Sequence, residues 1–215
     1  NMTEKIIKQT IYPKTTRFGS KKGTVQITEK IDGSNLTIFK HNNELYIAQR
    51  NNIFKYNDFL NYKNDFKGII YKGLEDFLEK HAEDLKNKLY EGSAICGEWI
   101  AMGQIKYANR FSNKFLLFAK ARVQEENGRF ELSNIVYNLD LIHWALGENL
   151  PFYIGLVPFV KEFNHYPTLD ELDNLYKEYT EDFEKKVEGF VISFNENIVK
   201  YVRLKRGEYQ PHIIK

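Results

Sequence analysis

Short runs of alternating apolar and polar residues, cut by turn-forming pairs, constrain this chain more than any other feature. Val25–Lys30 alternates as a strand, Asp32-Gly33 turns the chain, and Asn35–Lys40 resumes the alternation. His41-Asn42-Asn43 reads as a hairpin turn before the strand Leu45–Arg50. Ser93–Ile100 and Lys114–Arg122 are further strands. Phe130–Leu132 follows the turn Glu126-Asn127-Gly128, and Ser133–Asn138 is ambiguous. A last hairpin joins Gly189–Phe194 to Ile198–Lys205 through Asn195-Glu196-Asn197. The segment from Ile6 to Thr24 reads as irregular, and its Lys21-Lys22 pair as a solvated turn.

Two stretches carry helical spacing instead. Over Ile69–Leu89 the residues Leu74, Phe77, Leu78, Ala82 and Leu85 share one face. Thr168–Phe183 opens with a capping box, Thr168 as N-cap and Glu171 three residues later. Strands outnumber helices and join through hairpins, so the class is α+β, with antiparallel sheets and flanking helices. The 215 residues, 42% hydrophobic and 15% aromatic, suffice for one sizeable domain with a real core. A single domain over residues 2–215 is expected, without a C-terminal OB-fold or other accessory domain.

A net charge of +2 excludes a generic polyanion binder, so any nucleic-acid contact must come from local patches. The lone Cys96 cannot form an intramolecular disulfide and reads as a small core residue. The five histidines lack metal-ligand spacing, and no apolar run reaches membrane-spanning length. A reducing, cytoplasmic setting with no membrane partner is expected.

The densest polar information is Thr28-Glu29-Lys30-Ile31-Asp32-Gly33-Ser34-Asn35. A lysine that ends a strand just before a turn can point into a cleft, and as a neutral amine it is a nucleophile. Glu98 follows at a strand end in Cys96-Gly97-Glu98-Trp99, and Glu188 just before an apolar strand in Glu188-Gly189-Phe190-Val191. The strand after that carries Lys200, Arg203 and Lys205. This order supplies a nucleophile, two carboxylates suited to a magnesium ion that keeps its waters, and cations for a triphosphate. Trp99 reads equally as core or as a pocket wall, and His41 as a solvated turn residue.

These motifs resemble the covalent nucleotidyltransferases: RNA ligases, ATP-dependent DNA ligases and mRNA capping enzymes. Lys30-Ile31-Asp32-Gly33 resembles the motif whose lysine takes AMP, with Lys30, Asp32, Glu98 and Glu188 as the implied catalytic residues. Gln49-Arg50, twenty residues after the lysine, resembles the next motif of nick-sealing RNA ligases. Glu98 resembles the acid that contacts the ribose, and Phe118 of Phe115-Leu116-Leu117-Phe118 the aromatic that stacks on the purine. Ala119 stands where relatives often carry aspartate. Glu188 resembles the acid that holds magnesium through water, with Glu98 as its implied companion.

The last motif has two readings, Lys200-Tyr201-Val202-Arg203 or Arg203-Leu204-Lys205. The second sets two cations on one strand face. The implied nucleotide-binding set is Glu29, Lys30, Asn35, Arg50, Glu98, Phe118, Glu188, Lys200, Arg203 and Lys205.

Five residues after the lysine, DNA ligases and capping enzymes usually carry arginine; Asn35 follows the RNA ligase pattern. The resemblance therefore implies an ATP-grasp-like nucleotidyltransferase domain of the ligase and capping-enzyme type, using ATP and magnesium. It implies an RNA partner with 5′-phosphate and 3′-hydroxyl ends, a role in RNA repair, and room for a partner protein in strand binding. The alternatives are a stand-alone adenylyltransferase, or a DNA ligase or capping-type enzyme that needs a partner for its later steps.

Overall fold

The computed structural model describes residues 6–12, 16–17, 25–58, 71–101, 105, 107, 109–148, 150–183, 186–194, 197–205 and 208–210. The chain divides into two compact units. The first comprises residues 1–13, 33–102 and 113–156, and the second residues 14–32, 103–112 and 157–215. The division falls between Asp32 and Gly33, so the nucleophile motif is shared: Lys30 and Asp32 belong to the second unit, Asn35 to the first.

The first unit is built on β1 (Ile7–Lys8), β4 (Ser34–His41), β5 (Glu44–Ala48), β6 (Asn52–Lys55), β7 (Ser93–Trp99), β8 (Phe115–Glu126), β9 (Arg129–Tyr137) and β10 (Gly155–Leu156). They form one sheet in the order β1-β6-β5-β4-β7-β8-β10, with β9 also on β8. The β4–β5 hairpin turns at Asn42 and Asn43, both with positive φ, and β8–β9 at Asn127 and Gly128 likewise. Positive φ at both central positions gives the turn whose twist matches antiparallel strands, and asparagine and glycine tolerate it best.

One face of this sheet packs Leu36, Ile38, Ile95 and Phe115 beneath two helices, α1 (Leu74–Lys88) and α2 (Asn138–Glu148). Leu74, Leu78, Ala82 and Leu85 form the buried stripe of α1. Full burial of each leucine contributes about 1.5–3 kcal/mol. Phe77 of the same helix lies edge-on to Trp99, which is 1% exposed and donates its indole N–H to the Lys72 carbonyl. Trp99 is therefore core. The other face gathers Phe39, Tyr46, Cys96, Ala119 and Phe130. Cys96 is fully buried there, and burial pushes its thiol up to about 12, as befits a packing residue.

The second unit holds a five-stranded sheet in the order β11-β3-β12-β13-β2. Its strands are β2 (Thr16–Arg17), β3 (Val25–Lys30), β11 (Phe159–Phe163), β12 (Gly189–Phe194) and β13 (Asn197–Val202). A two-stranded ladder joins β14 (Leu204–Lys205) to β15 (Glu208–Tyr209). Leu172 and Tyr176 of helix α3 (Leu169–Tyr179) pack on Ile27, Phe190 and Tyr201. The expected capping box at Thr168 and Glu171 is present in both directions.

Several elements differ from the sequence reading. α3 stops at Tyr179, where the Thr180 hydroxyl bonds to the Tyr176 carbonyl, and a 3-10 turn, Glu181–Phe183, replaces its expected last turn. The ambiguous Ser133–Asn138 divides into the end of β9 and the start of α2. The segment read as irregular contributes the short strands β1 and β2, and β6, β10, β11 and α2 lie in stretches without a clear pattern. His41 is half-buried between Tyr46 and Phe130 with its ring against Glu125, rather than solvated. The expected single strand Ile198–Lys205 breaks at Arg203. The amides of Arg203 and Leu204 share the Glu188 carbonyl, which offsets the ladder by one residue and hands Leu204 to β15. Lys21-Lys22, residues 69–70 at the expected helix start and the turn residues 195–196 lie outside the described residues. No helix among the described residues is long and apolar enough to cross a membrane.

Candidate active site

Strand register alone sorts the charged residues of the second unit. Lys30 lies opposite Gly189, which lies opposite Val202. The neighbouring row is Thr28, Val191 and Lys200. Because alternate residues share a face, Lys30 and Lys200 stand on one side of this sheet. Glu29, Phe190 and Tyr201 form the row between them, on the side packed under α3. Gly189 is required by the close crossing of the strands: a Cβ there would lie 1.9 Å from the Tyr201 carbonyl oxygen.

The Lys30 amine donates to Oε2 of Glu188 at 2.9 Å, with side-chain exposures of 26% and 19%. Burial raises the Glu188 carboxyl above its usual range, and nearby Asp32 pushes the same way, while Lys30 and Lys200 oppose them. Lys30, Asp32, Glu188 and Lys200 thus form one electrostatic cluster. Among the described residues no group of three or more histidine, cysteine or acidic side chains is gathered as a ready metal cage.

Arg203 sits elsewhere. It is 5% exposed and fully engaged: Nε donates to the Gln210 carbonyl, Nη1 to Asp173 and to the Tyr201 hydroxyl, and Nη2 to the Tyr209 hydroxyl. Lys205 is exposed on β14. The expected pairing of Arg203 and Lys205 on one strand face is not formed, because the strand breaks between them.

Glu29 is also sequestered, its side chain fully buried. Arg110 grips both carboxylate oxygens at 2.6 and 3.1 Å, and the Tyr179 hydroxyl donates to one of them at 2.6 Å. On the other side of the lysine, the Asp32 amide donates to the Tyr107 hydroxyl at 2.7 Å, and Asp32 Oδ2 accepts the Ile105 amide at 2.9 Å. Arg110, Tyr107 and Tyr179 were invisible to sequence reasoning. They lie far from Lys30 in sequence, and Tyr107 and Arg110 come from a stretch without periodicity.

In the first unit, Asn35 and Glu98 are direct cross-strand partners, and Thr37 with Cys96 is the next pair but one. Both therefore stand on the sheet face lined by Cys96. Phe118 packs against the same cluster. The β7–β8 register passes from Cys96–Ala119 to Gly97–Leu117, leaving Phe118 as the unpaired residue of a bulge. A bulge re-aims a side chain, which explains how Phe118 and its neighbour Ala119 both reach this face. The Tyr12 ring meets Phe118 edge-on at 4.8 Å.

Arg50 is exposed, and its backbone is fixed by Tyr71. The Tyr71 hydroxyl accepts the Arg50 amide and donates to the Asn35 carbonyl, each at 2.7 Å. Burial raises this hydroxyl to about 12, so it remains protonated and can make both bonds. Gly33 admits no side chain either, since a Cβ would lie 2.5 Å from the Trp99 carbonyl oxygen.

The sequence matches the RNA ligase family over residues 23–202. No curated protein matches. Among solved structures, a lysine-to-methionine variant of Naegleria gruberi RNA ligase with AMP and Mn superposes with a TM-score of 0.56 at 13% identity, over 91% of this chain and 58% of that one. An arginine-to-alanine variant of the same ligase with ATP and Mn gives 0.52 at 14%, over 84% and 49%. An Aquifex aeolicus protein assigned as an ATP-dependent DNA ligase gives 0.53 at 16%, over 89% and 49%. The chain thus spans about half the length of these solved relatives, and the likeness establishes a shared nucleotidyltransferase fold. With the family match running through most of its length, the chain belongs to the RNA ligase family.

Proposed function

We propose that this chain is an ATP-dependent RNA ligase that works through a covalent lysyl-AMP. The Lys30 nitrogen attacks the α-phosphorus of ATP, the bond to the β-phosphate oxygen breaks, and pyrophosphate leaves. The amine loses its proton along the hydrogen bond to Glu188, whose hold on a proton is strengthened by burial. Lys200, on the face of Lys30, holds phosphate oxygens. Phe118 stacks on the adenine, Glu98 contacts the ribose, and Arg50 assists in nucleotide binding. AMP then passes to the 5′-phosphate of an RNA end, and a 3′-hydroxyl displaces it as the strands join.

The observation that carries this reading is the 2.9 Å pair of Lys30 and Glu188 beside a sheet face that also bears Lys200. The donors suit magnesium: hard carboxylate oxygens of Glu188, with Asp32 close enough to perturb it, beside cations for phosphates. Glu188 would hold the ion through water. When bound, magnesium neutralises charge developing on the phosphates.

The test is incubation with α-labelled ATP and magnesium, followed by a denaturing gel. Label is expected on the wild type and absent from Lys30→Ala; label that survives this change defeats the assignment. Joining of a 5′-phosphate RNA end to a 3′-hydroxyl completes the reading. Lysyl-AMP without joining would restrict the chain to adenylyl transfer, and joining of DNA alone would make it a DNA ligase.

A further inference from the structure

The nucleophile motif is held on both sides by side chains from one stretch of the second unit. Glu29 precedes Lys30 and points to the opposite face, into the packing under α3. Its buried carboxylate takes two bonds from Arg110 and one from Tyr179. Three charge-assisted or hydroxyl donors fix a carboxylate in orientation.

Arg110 is itself wedged between rings, its guanidinium 3.7 Å from the Phe183 centroid and 4.9 Å from that of Phe111. After the lysine, Asp32 is tied through its own amide to Tyr107 and through its carboxylate to the Ile105 amide. The chain on either side of Lys30 is therefore anchored to residues 105, 107 and 110, while the Lys30 side chain itself reaches Glu188.

We propose that Arg110 and Tyr107 are positioning residues that clamp the backbone around Lys30 and set the line of attack of its amine. The proposal rests on the lysyl-AMP reading above. It also reassigns Glu29: its carboxylate, saturated by Arg110 and Tyr179, is the anchor of the clamp rather than a contact to the nucleotide. Neither positioning residue touches the reacting atoms. An in-line displacement is sensitive to small misplacements, and an error of about 1 Å costs roughly a hundredfold in rate. A clamp should therefore show in the rate at saturating ATP and leave ATP binding alone.

Arg110→Lys keeps the charge but loses the two-pronged grip. Tyr107→Phe removes only the hydroxyl that accepts the Asp32 amide. Three quantities are measured for each variant on the full chain: the single-turnover rate of lysyl-AMP formation at saturating ATP, the ATP concentration giving half that rate, and the melting temperature. The expected result is a rate roughly tenfold to a hundredfold lower for Arg110→Lys and smaller but measurable for Tyr107→Phe, with the half-saturating ATP concentration unchanged. Should Arg110→Lys fail to fold, Tyr107→Phe alone decides. Wild-type rates at saturating ATP overturn the clamp, as does a loss confined to ATP affinity. So does a rate loss that vanishes well below the variant's melting temperature. If the wild type forms no lysyl-AMP, the functional reading has failed, and the clamp with it.

Discussion

Lys200, Arg203 and Lys205 are the sequence's candidates for holding the phosphates of ATP, and replacing Arg203 and Lys200 in turn with alanine separates a packing role from a binding one. The Arg203 guanidinium is nearly inaccessible and donates to Asp173, Tyr201, Tyr209 and the Gln210 carbonyl. Removing one member of a buried charged pair costs about 3–5 kcal/mol. Here Asp173 is 39% exposed and Tyr209 47% exposed, so water recovers part of their bonding. The Tyr201 hydroxyl, which also bonds to Asp173, keeps one partner. The loss for Arg203→Ala is therefore at the lower end, about 3 kcal/mol. For a chain of this size that is a fall of roughly 6–12 °C in melting temperature.

Lys200 is half-buried on the sheet face that bears Lys30, and its removal should leave the melting temperature nearly unchanged. The missing charged contact to phosphate should raise the ATP concentration for half-maximal lysyl-AMP formation about tenfold to a hundredfold. Thermal unfolding and labelling across an ATP series measure both effects on the same samples. The reasoning is refuted if Arg203→Ala keeps its melting temperature while losing ATP affinity, or if Lys200→Ala unfolds early and binds ATP normally.

Glu188→Gln should separate stability from activity. The folded-state pKa of Glu188 is raised, so the native form binds its proton more tightly than the unfolded chain, and wild-type stability falls as pH rises through that raised value. The neutral variant escapes this loss, so its melting temperature should exceed the wild type's at neutral pH and approach it in acid, while lysyl-AMP formation drops sharply. A variant less stable than the wild type at neutral pH contradicts the sign. Asn35→Ala should leave Lys30 labelling comparatively strong but slow the joining of a preadenylylated RNA strand to a 3′-hydroxyl by roughly a hundredfold. Equal loss in both steps would assign Asn35 to the nucleotide instead.

Local pattern determined a large part of this protein. Alternation and turn chemistry located β3, β4, β5, β7, β8 and β12, because a half-buried strand must alternate and an asparagine–glycine turn must follow the strand twist. The capping box located the start of α3, since both of its bonds close within four residues. The order of Lys30, Glu98 and Glu188 carried the resemblance to the covalent nucleotidyltransferases, and the family match over residues 23–202 agrees with it.

Only tertiary structure decided what register and packing control. The bulge that re-aims Phe118 depends on the pairing of β7 with β8, and the break at Arg203 depends on the Glu188 carbonyl accepting two amides. The separation of Lys200 from Arg203 follows from which sheet face α3 covers. The ties on Glu29 and Asp32 come from residues 73 to 150 positions away, among them Arg110, Tyr107 and Tyr179. Such contacts leave no periodic trace, because a buried charge needs a partner in space and is indifferent to where that partner lies along the chain.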